Sequence, residues 1–309
     1  DLTTSLLPTF VTEDIVDLKK NLSLIEQLIK EKQAGILGVH IEGPFLSQAK
    51  KGIHAEEFLT TPNENILQFL LNLNMSSKLI TLAPEVVSLE VIQKLKKGGF
   101  KVFAGHTNAS FETSIQAFNK GVIGITHLFN ACSQISAREA GVVGAALTHS
   151  DIWCGLIADG KHVDYNVIKL ALKLKSFEKF LLVSDAMAGV GSTQKSFQFF
   201  NETIFIKDDM FVNEYGTLAG ANLTMLKAFK NVLQEKETLG LQLLTKPQQQ
   251  AGTSAQEEQN AQKAVSSPQY AENKVTDFQE KPFIEKDHTG LYWFIGVFVL
   301  LVVVIFVFT

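Results

Sequence analysis

Gly38 to Phe45 reads GVHIEGPF. Its first five residues have the pattern of a buried strand, which delivers a carboxylate, Glu42, onto a Gly-Pro turn where regular structure stops. A carboxylate at the mouth of an apolar strand is costly to bury unless a cation or hydrogen-bond donors meet it. Three other apolar runs end on a chemically competent side chain: His106 in VFAGHTNAS, His127 in GITHLFNAC and Asp185 in FLLVSDAMAG. Four such groups on four strand ends describe a site.

The runs themselves alternate with helical patterns. Leu6 to Val11 reads as a short strand, and Thr12-Glu13-Asp14 caps an amphipathic helix through about Lys32. Strands follow at Gly35–Glu42, Lys78–Glu85, Phe100–His106, Val122–His127, Asp151–Ala158 and Lys179–Asp185. Helices are expected from Thr61-Pro62 onward, over Ser88–Lys97, Ser110–Lys120 and Asp164–Leu174. That is strict β-α alternation, which implies a parallel sheet covered by helices. No Gly-rich phosphate fingerprint follows any strand, which argues against a dinucleotide fold. Polar residues recur at strand ends (Glu42, Glu85, His106, His127, Asp159, Asp185), and in a barrel those ends converge on one mouth. The expected fold class is therefore α/β, a TIM-type (β/α)8 barrel with its first strand missing before Asp1. Residues 196–220 alternate apolar and polar and predict a small antiparallel insertion, followed by helix from Asn222 to about Leu233.

Composition sets the outer bounds. With 309 residues, 46% hydrophobic content and a formal charge of −4, the chain is a globular body without the basic footprint of a nucleic-acid binder. Cys132 and Cys154 lie in apolar contexts and form no CxxC, so they read as buried thiols of a reducing compartment. The expected organisation is a barrel over 1–240, a disordered linker over 241–290 and a transmembrane helix over 291–308. The linker reading rests on Gln, Ala, Ser and charge. The helix reading rests on an uncharged stretch with Tyr292 and Trp293 at its start. The two together predict a cytoplasmic body anchored to a membrane by its tail.

Two imidazoles and one carboxylate with positions left for water suit a catalytic divalent metal. Such a metal acidifies water and polarises a carbonyl, and a free carboxylate such as Asp185 can carry the proton to a leaving amine. Glu42, His106 and His127 come from separate strands, so no local spacing marks them as ligands. His40, two residues from Glu42, reads as a core or supporting group, Glu85 as a hydrogen-bonding neighbour, His149 as a helix-end group and Lys50-Lys51 as a solvated loop.

Nine segments in order, HIEGPFLS, KKGIHAEE, TLAPE, AGHTNAS, THLFNAC, ISAREAG, IADGKHVDY, VSDAMAG and GTLAGANLTM, resemble the signatures of the N-acetylglucosamine-6-phosphate deacetylase family of the amidohydrolase superfamily. The resemblance runs from about Thr4 to Leu233. It implies a metal-dependent barrel that removes acetate from the 2-amino group of a phosphorylated amino sugar. It makes Glu42, His106 and His127 the ligands of one divalent cation, zinc first and iron, cobalt or manganese next. Asp185 becomes general base and acid. Ile53 and His54 would meet the substrate, and Asn130 and Ala131 would hold it. Arg138 and His162 would bind the phosphate, and Leu218, Ala219 and Gly220 would line the sugar pocket. It further implies a homodimer and an accessory β-sandwich that the chain mostly lacks. Two other readings stay open: an amidohydrolase acting on a different amide, and a membrane-tethered barrel remnant without activity.

Overall fold

The structure, a computed structural model, describes residues 3–240 and 299–302. Seven parallel strands lie side by side in chain order: β1 (Leu7–Phe10), β2 (Gly38–Glu42), β3 (Ser77–Leu82), β4 (Phe100–Ala104), β5 (Val122–Ile125), β6 (Trp153–Leu156) and β7 (Phe180–Leu182). Between them run α1 (Ile15–Lys30), α2 (Glu64–Leu71), α3 (Leu89–Lys97), α4 (Phe111–Lys120), α5 (Gly141–Thr148) and α6 (Tyr165–Leu174). All seven strands coincide with runs predicted from periodicity and are shorter than predicted, although β3 starts one residue earlier. The predicted runs included His106, His127 and Asp185, which lie beyond the ends of β4, β5 and β7, whereas Glu42 is the last residue of β2.

Local chemistry explains where the helices begin. The side chains of Asp14, Asn63, Ser88, Ser110 and Asp164 each accept a backbone N–H of the following turn, capping α1, α2, α3, α4 and α6. Most of these helices then bury a narrow stripe, Leu18, Leu22 and Ile25 in α1 and Ile92 and Leu95 in α3, whereas α5 is buried from Gly141 to Leu147. The strands are apolar on both faces because helices cover one and a filled interior the other, so all five residues of β2 are buried. The C-terminal end of α5 is closed by a buried lysine. Lys175 Nζ donates to the carbonyl of Ala146 at 3.1 Å and to that of His149.

The alternating stretch after β7 folds as an antiparallel sheet of β8 (Ser196–Phe199), β9 (Glu202–Lys207) and β10 (Met210–Val212). Helices α7 (Met225–Gln234) and α8 (Lys236–Leu239) follow, the second unforeseen from sequence.

One expectation needs correction. A strand β11 (Val299–Val302) pairs antiparallel with β1, Leu7 opposite Val302 and Phe10 opposite Val299. It lies inside the stretch predicted to be a transmembrane helix. Among the described residues no helix is long and apolar enough to cross a membrane. An uncharged run of Val and Leu has no periodicity to separate helix from strand, and the outer edge of β1 offers unpaired backbone groups that an extended segment satisfies. The rest of 291–308, and the linker expected at 241–290, lie outside the described residues. The parallel strands, seven among the described residues, are as many as the sequence reading expected. Among the described residues the sheet order runs from β11 through β1 to β7, with no ladder joining its two ends and no eighth parallel strand. What remains is a parallel sheet of the α/β-barrel hydrolase kind.

Close approach of strands governs one glycine of the opening stretch. A Cβ on Gly38 would lie 1.9 Å from the carbonyl oxygen of Ser77, its register partner on β3. Gly38→Ala is expected to lower stability by about 2–3 kcal/mol through overpacking, read as a shifted urea midpoint at unchanged m-value.

Candidate active site

Flat sheets separate strands by about 4.8 Å, so β2 and β5, three places apart, would hold their ends about 14 Å from one another. In fact Glu42 Oε1, at the end of β2, is 3.2 Å from Nε2 of His127, just past β5. The sheet curls, and its C-terminal ends converge. His106 follows β4 through Gly105, and its own Nε2 is 3.4 Å from Glu42 Oε1 and 3.2 Å from His127 Nε2. His106 and Asp185 both adopt left-handed backbone, with φ of 46° and 48°. That conformation is uncommon for residues other than glycine and marks the points where the chain leaves a strand to aim a side chain.

Each imidazole is oriented by a carbonyl. Lys50 O lies 2.9 Å from His106 Nδ1, and Asn130 O lies 3.2 Å from His127 Nδ1. Carbonyls only accept, so both Nδ1 atoms carry hydrogen and both Nε2 atoms face inward, where they would offer lone pairs to a cation. Three donor atoms separated by 3.2, 3.2 and 3.4 Å form one face of a tetrahedron. Bonds of about 2.0–2.1 Å to a tetrahedral cation give ligand–ligand edges of about 3.3 Å. The donor set therefore fits one divalent ion. Glu42, His106 and His127 are all buried, and they form the one such group among the described residues.

The charges are strongly coupled. Burial alone would raise the Glu42 carboxyl, but hydrogen bonds and charge from His106 and His127 hold it well below the usual carboxylate range. Burial pulls His127 down, yet its bond to Glu42 and the charges of Asp185 and Glu42 carry it to about 9. Burial raises Asp185; His127 opposes the shift and Glu42 adds to it.

His54 lies against this cluster, its ring edge-on to His106 with centroids 4.4 Å apart. The Thr12 N–H donates to His54 Nδ1 at 3.3 Å, so the proton of the neutral ring sits on Nε2, 4.0 Å from Glu42 Oε2. Burial lowers its pKa to about 3, so the ring is neutral across the ordinary range. His40 lies beneath, fully buried, bridging Thr9 Oγ1 at 3.0 Å and Thr81 Oγ1 at 2.7 Å. Glu85 is outside the cluster and accepts from the Thr107 hydroxyl and the Asn108 N–H, the two residues after His106.

A cavity of about 380 Å³ opens over these groups. Ile53, His54, Asn130, Ala131, His162, Leu218 and Gly220 line it beside Glu42, His106, His127 and Asp185. Two predicted residues are not in its wall. Ala219 is fully buried behind Leu218 and Gly220, its N–H on Phe211 O. Arg138 is exposed on the loop before α5 and does not line the cavity. Lys50, expected as solvated loop, does line it. The signal was there to use: a cation in the loop leaving the Glu42 strand is well placed for an anion near the ion site.

Fold and donor set together are of the α/β-barrel-like hydrolase kind, with room for one divalent cation. No family model matches the chain. It is 38% identical over 233 residues to the N-acetylgalactosamine-6-phosphate deacetylase of a Shewanella species, covering 75% of this chain and 59% of that protein. It is 36% identical over 237 residues to the N-acetylglucosamine-6-phosphate deacetylase of Haemophilus influenzae, covering 76% and 62%. Among solved structures, N-acetylglucosamine-6-phosphate deacetylase from Pasteurella multocida superposes with a TM-score of 0.72 at 39% identity, over 78% of this chain and 62% of that one. The chain thus spans about three-fifths of the length of these relatives. Over the aligned span, sequence and fold both support kinship with the N-acetylglucosamine-6-phosphate deacetylases.

The donor geometry carries its own test. Purified chain should hold about one equivalent of divalent metal by elemental mass spectrometry, and His127→Ala, which removes one of three donors, should hold close to none while keeping its far-ultraviolet dichroism.

Proposed function

We propose that this chain hydrolyses the acetamido group of N-acetylglucosamine 6-phosphate, releasing acetate and glucosamine 6-phosphate. The observation that carries the reading is the meeting of Glu42, His106 and His127 at 3.2–3.4 Å beside a buried carboxyl, Asp185. Glu42, His106 and His127 would hold a divalent cation, zinc first and iron, cobalt or manganese next, which when bound would acidify a water and polarise the amide carbonyl. Asp185 takes the water's proton and returns it to the departing amine, a role that suits a carboxyl raised by burial. His54, with its proton on Nε2, is a neutral donor for the oxygen of the acetyl group. Asn130 and Ala131 hold the sugar, and Ile53, Leu218 and Gly220 shape its pocket. His162 and Lys50 meet the phosphate. Arg138 joins them in a homodimer, where the partner's Arg138 reaches a site that its own chain's copy does not line.

A second substrate is favoured by one observation. The Shewanella relative, at 38% identity, is named for the galactosamine epimer. On that likeness the alternative substrate is N-acetylgalactosamine 6-phosphate, which differs only in the orientation of its 4-hydroxyl.

Acetate release should be measured on both epimers, with and without phosphate, before and after chelation. Expected is turnover of a phosphorylated sugar that chelator abolishes and divalent metal restores. Asp185→Asn should lower kcat by about 10²–10⁴-fold with KM little changed. Turnover insensitive to chelator, or equal rates with and without the phosphate, would overturn the reading.

A further inference from the structure

One wall of the cavity is the loop from Asp159 to Val163 between β6 and α6, of which the reaction above uses His162 alone. Asp159 is the more heavily engaged residue. Its Oδ1 accepts the backbone N–H groups of Lys161 and His162, both at 2.8 Å, and its Oδ2 is 2.6 Å from His162 Nδ1. The two side chains are only 12% and 5% exposed, so water competes little for these bonds. One acid thus writes the turn and aims the ring. Gly160, at φ 71°, lets the turn close, and Lys161 Nζ donates to Asp208 O at 2.8 Å, tying the loop to the β9–β10 turn.

A carboxylate held by backbone N–H groups only accepts from the ring, so His162 Nδ1 carries hydrogen. That leaves Nε2 as the polar atom His162 can offer the cavity it lines. A neutral ring offers a lone pair there; an imidazolium offers an N–H. An anion in the cavity selects the second, because the ring then lies between two negative charges. Burial opposes ionisation of Asp159, but the hydrogen bond and charge of His162 hold its carboxyl below the usual range. The other ionisable groups lining the cavity are Glu42, Lys50, His54, His106, His127 and Asp185. Glu42 and the two ligand imidazoles are committed to the ion and Asp185 to the proton, while His54 is neutral. Lys50 and His162 are left to meet a phosphate dianion.

We propose that Asp159 is a positioning residue for phosphate recognition: it turns His162 toward the cavity and keeps it as the charged partner of the substrate's phosphate. Preference for a phosphorylated sugar then depends on an acid that does not touch the substrate. The inference rests on the phosphorylated-sugar reading above.

The test uses the metal-loaded full chain as wild type, Asp159→Asn, His162→Gln and the double variant. Kinetics are read on N-acetylglucosamine with and without its 6-phosphate, and inorganic phosphate binding by calorimetry. Asp159→Asn should raise KM for the phosphorylated sugar roughly tenfold with kcat nearly unchanged, the scale seen when a carboxylate that orients a histidine is lost. It should weaken inorganic phosphate by a similar factor and leave kcat/KM on the unphosphorylated sugar unchanged. The double variant should lose no more than His162→Gln alone. Equal losses on both sugars, a loss in kcat alone, or additive losses in the double variant overturn the proposal. Should the wild type hydrolyse neither sugar, the functional reading fails, and phosphate binding still decides the role of Asp159 by its sensitivity to Asp159→Asn. Should Asp159→Asn not fold, nitrogen-15 spectra of wild-type His162 decide it. Conversion to imidazolium when inorganic phosphate is added upholds it, and a ring that stays neutral overturns it.

Discussion

A carboxylate with 1% of its surface exposed, closing a strand of five buried residues, dominates the physics of this chain. Glu42 cannot be solvated, so its charge must be met inside the protein. The two nearest partners, His106 and His127, are each turned so that Nδ1 serves a backbone carbonyl and Nε2 faces the acid. The two inward Nε2 atoms, 3.2 Å apart, and the carboxylate share a proton in that space, and a divalent cation that displaces it would meet three donors at once. Stability and chemistry here share one arrangement.

That arrangement needs the sheet to curl, and the curl needs specific backbone. Strand ends that would lie about 14 Å apart on a flat sheet are brought to hydrogen-bonding distance. The chain then leaves β4 and β7 through left-handed residues, His106 and Asp185, whose neighbours hold them there: Ser47 N–H on His106 O at 2.9 Å and Ala221 N–H on Asp185 O at 2.7 Å. Both clamps come from loops that also line the cavity. The segments that position the ion site are thus the segments that would read the substrate, which ties recognition at the rim to order at the metal.

The parts legible in the sequence were those with a period or an end. Strand-helix alternation showed in hydrophobic spacing, and helix starts showed in Asp14, Ser88, Ser110 and Asp164. The site showed because an acid or imidazole closing an apolar strand is too costly to bury without a partner. What failed lacked such a marker. Val299–Val302 is uniformly apolar, so composition could not tell a membrane helix from a strand waiting for the edge of β1. The place of Lys50 was also hidden, because its loop follows tertiary contacts rather than propensity: Lys50 comes to the cavity with the carbonyl that orients His106, whereas Ser133, Ser136 and Glu139 pin the loop bearing Arg138.

The small antiparallel sheet explains how so open a set of loops keeps a shape. Phe199, Ile204 and Phe211 from β8, β9 and β10 share one apolar cluster with Val183 and Met187, which flank Asp185, and with Ile157 before Asp159. Ile53, from the loop after β2, packs on the same cluster. Loops after β2, β6 and β7 are therefore held by one body of side chains, and burial of that body, worth roughly 1.5–3 kcal/mol per large side chain, keeps them together. On this view the insertion is no ornament on the barrel-like sheet: it is the part that converts converging strand ends into an enclosed site.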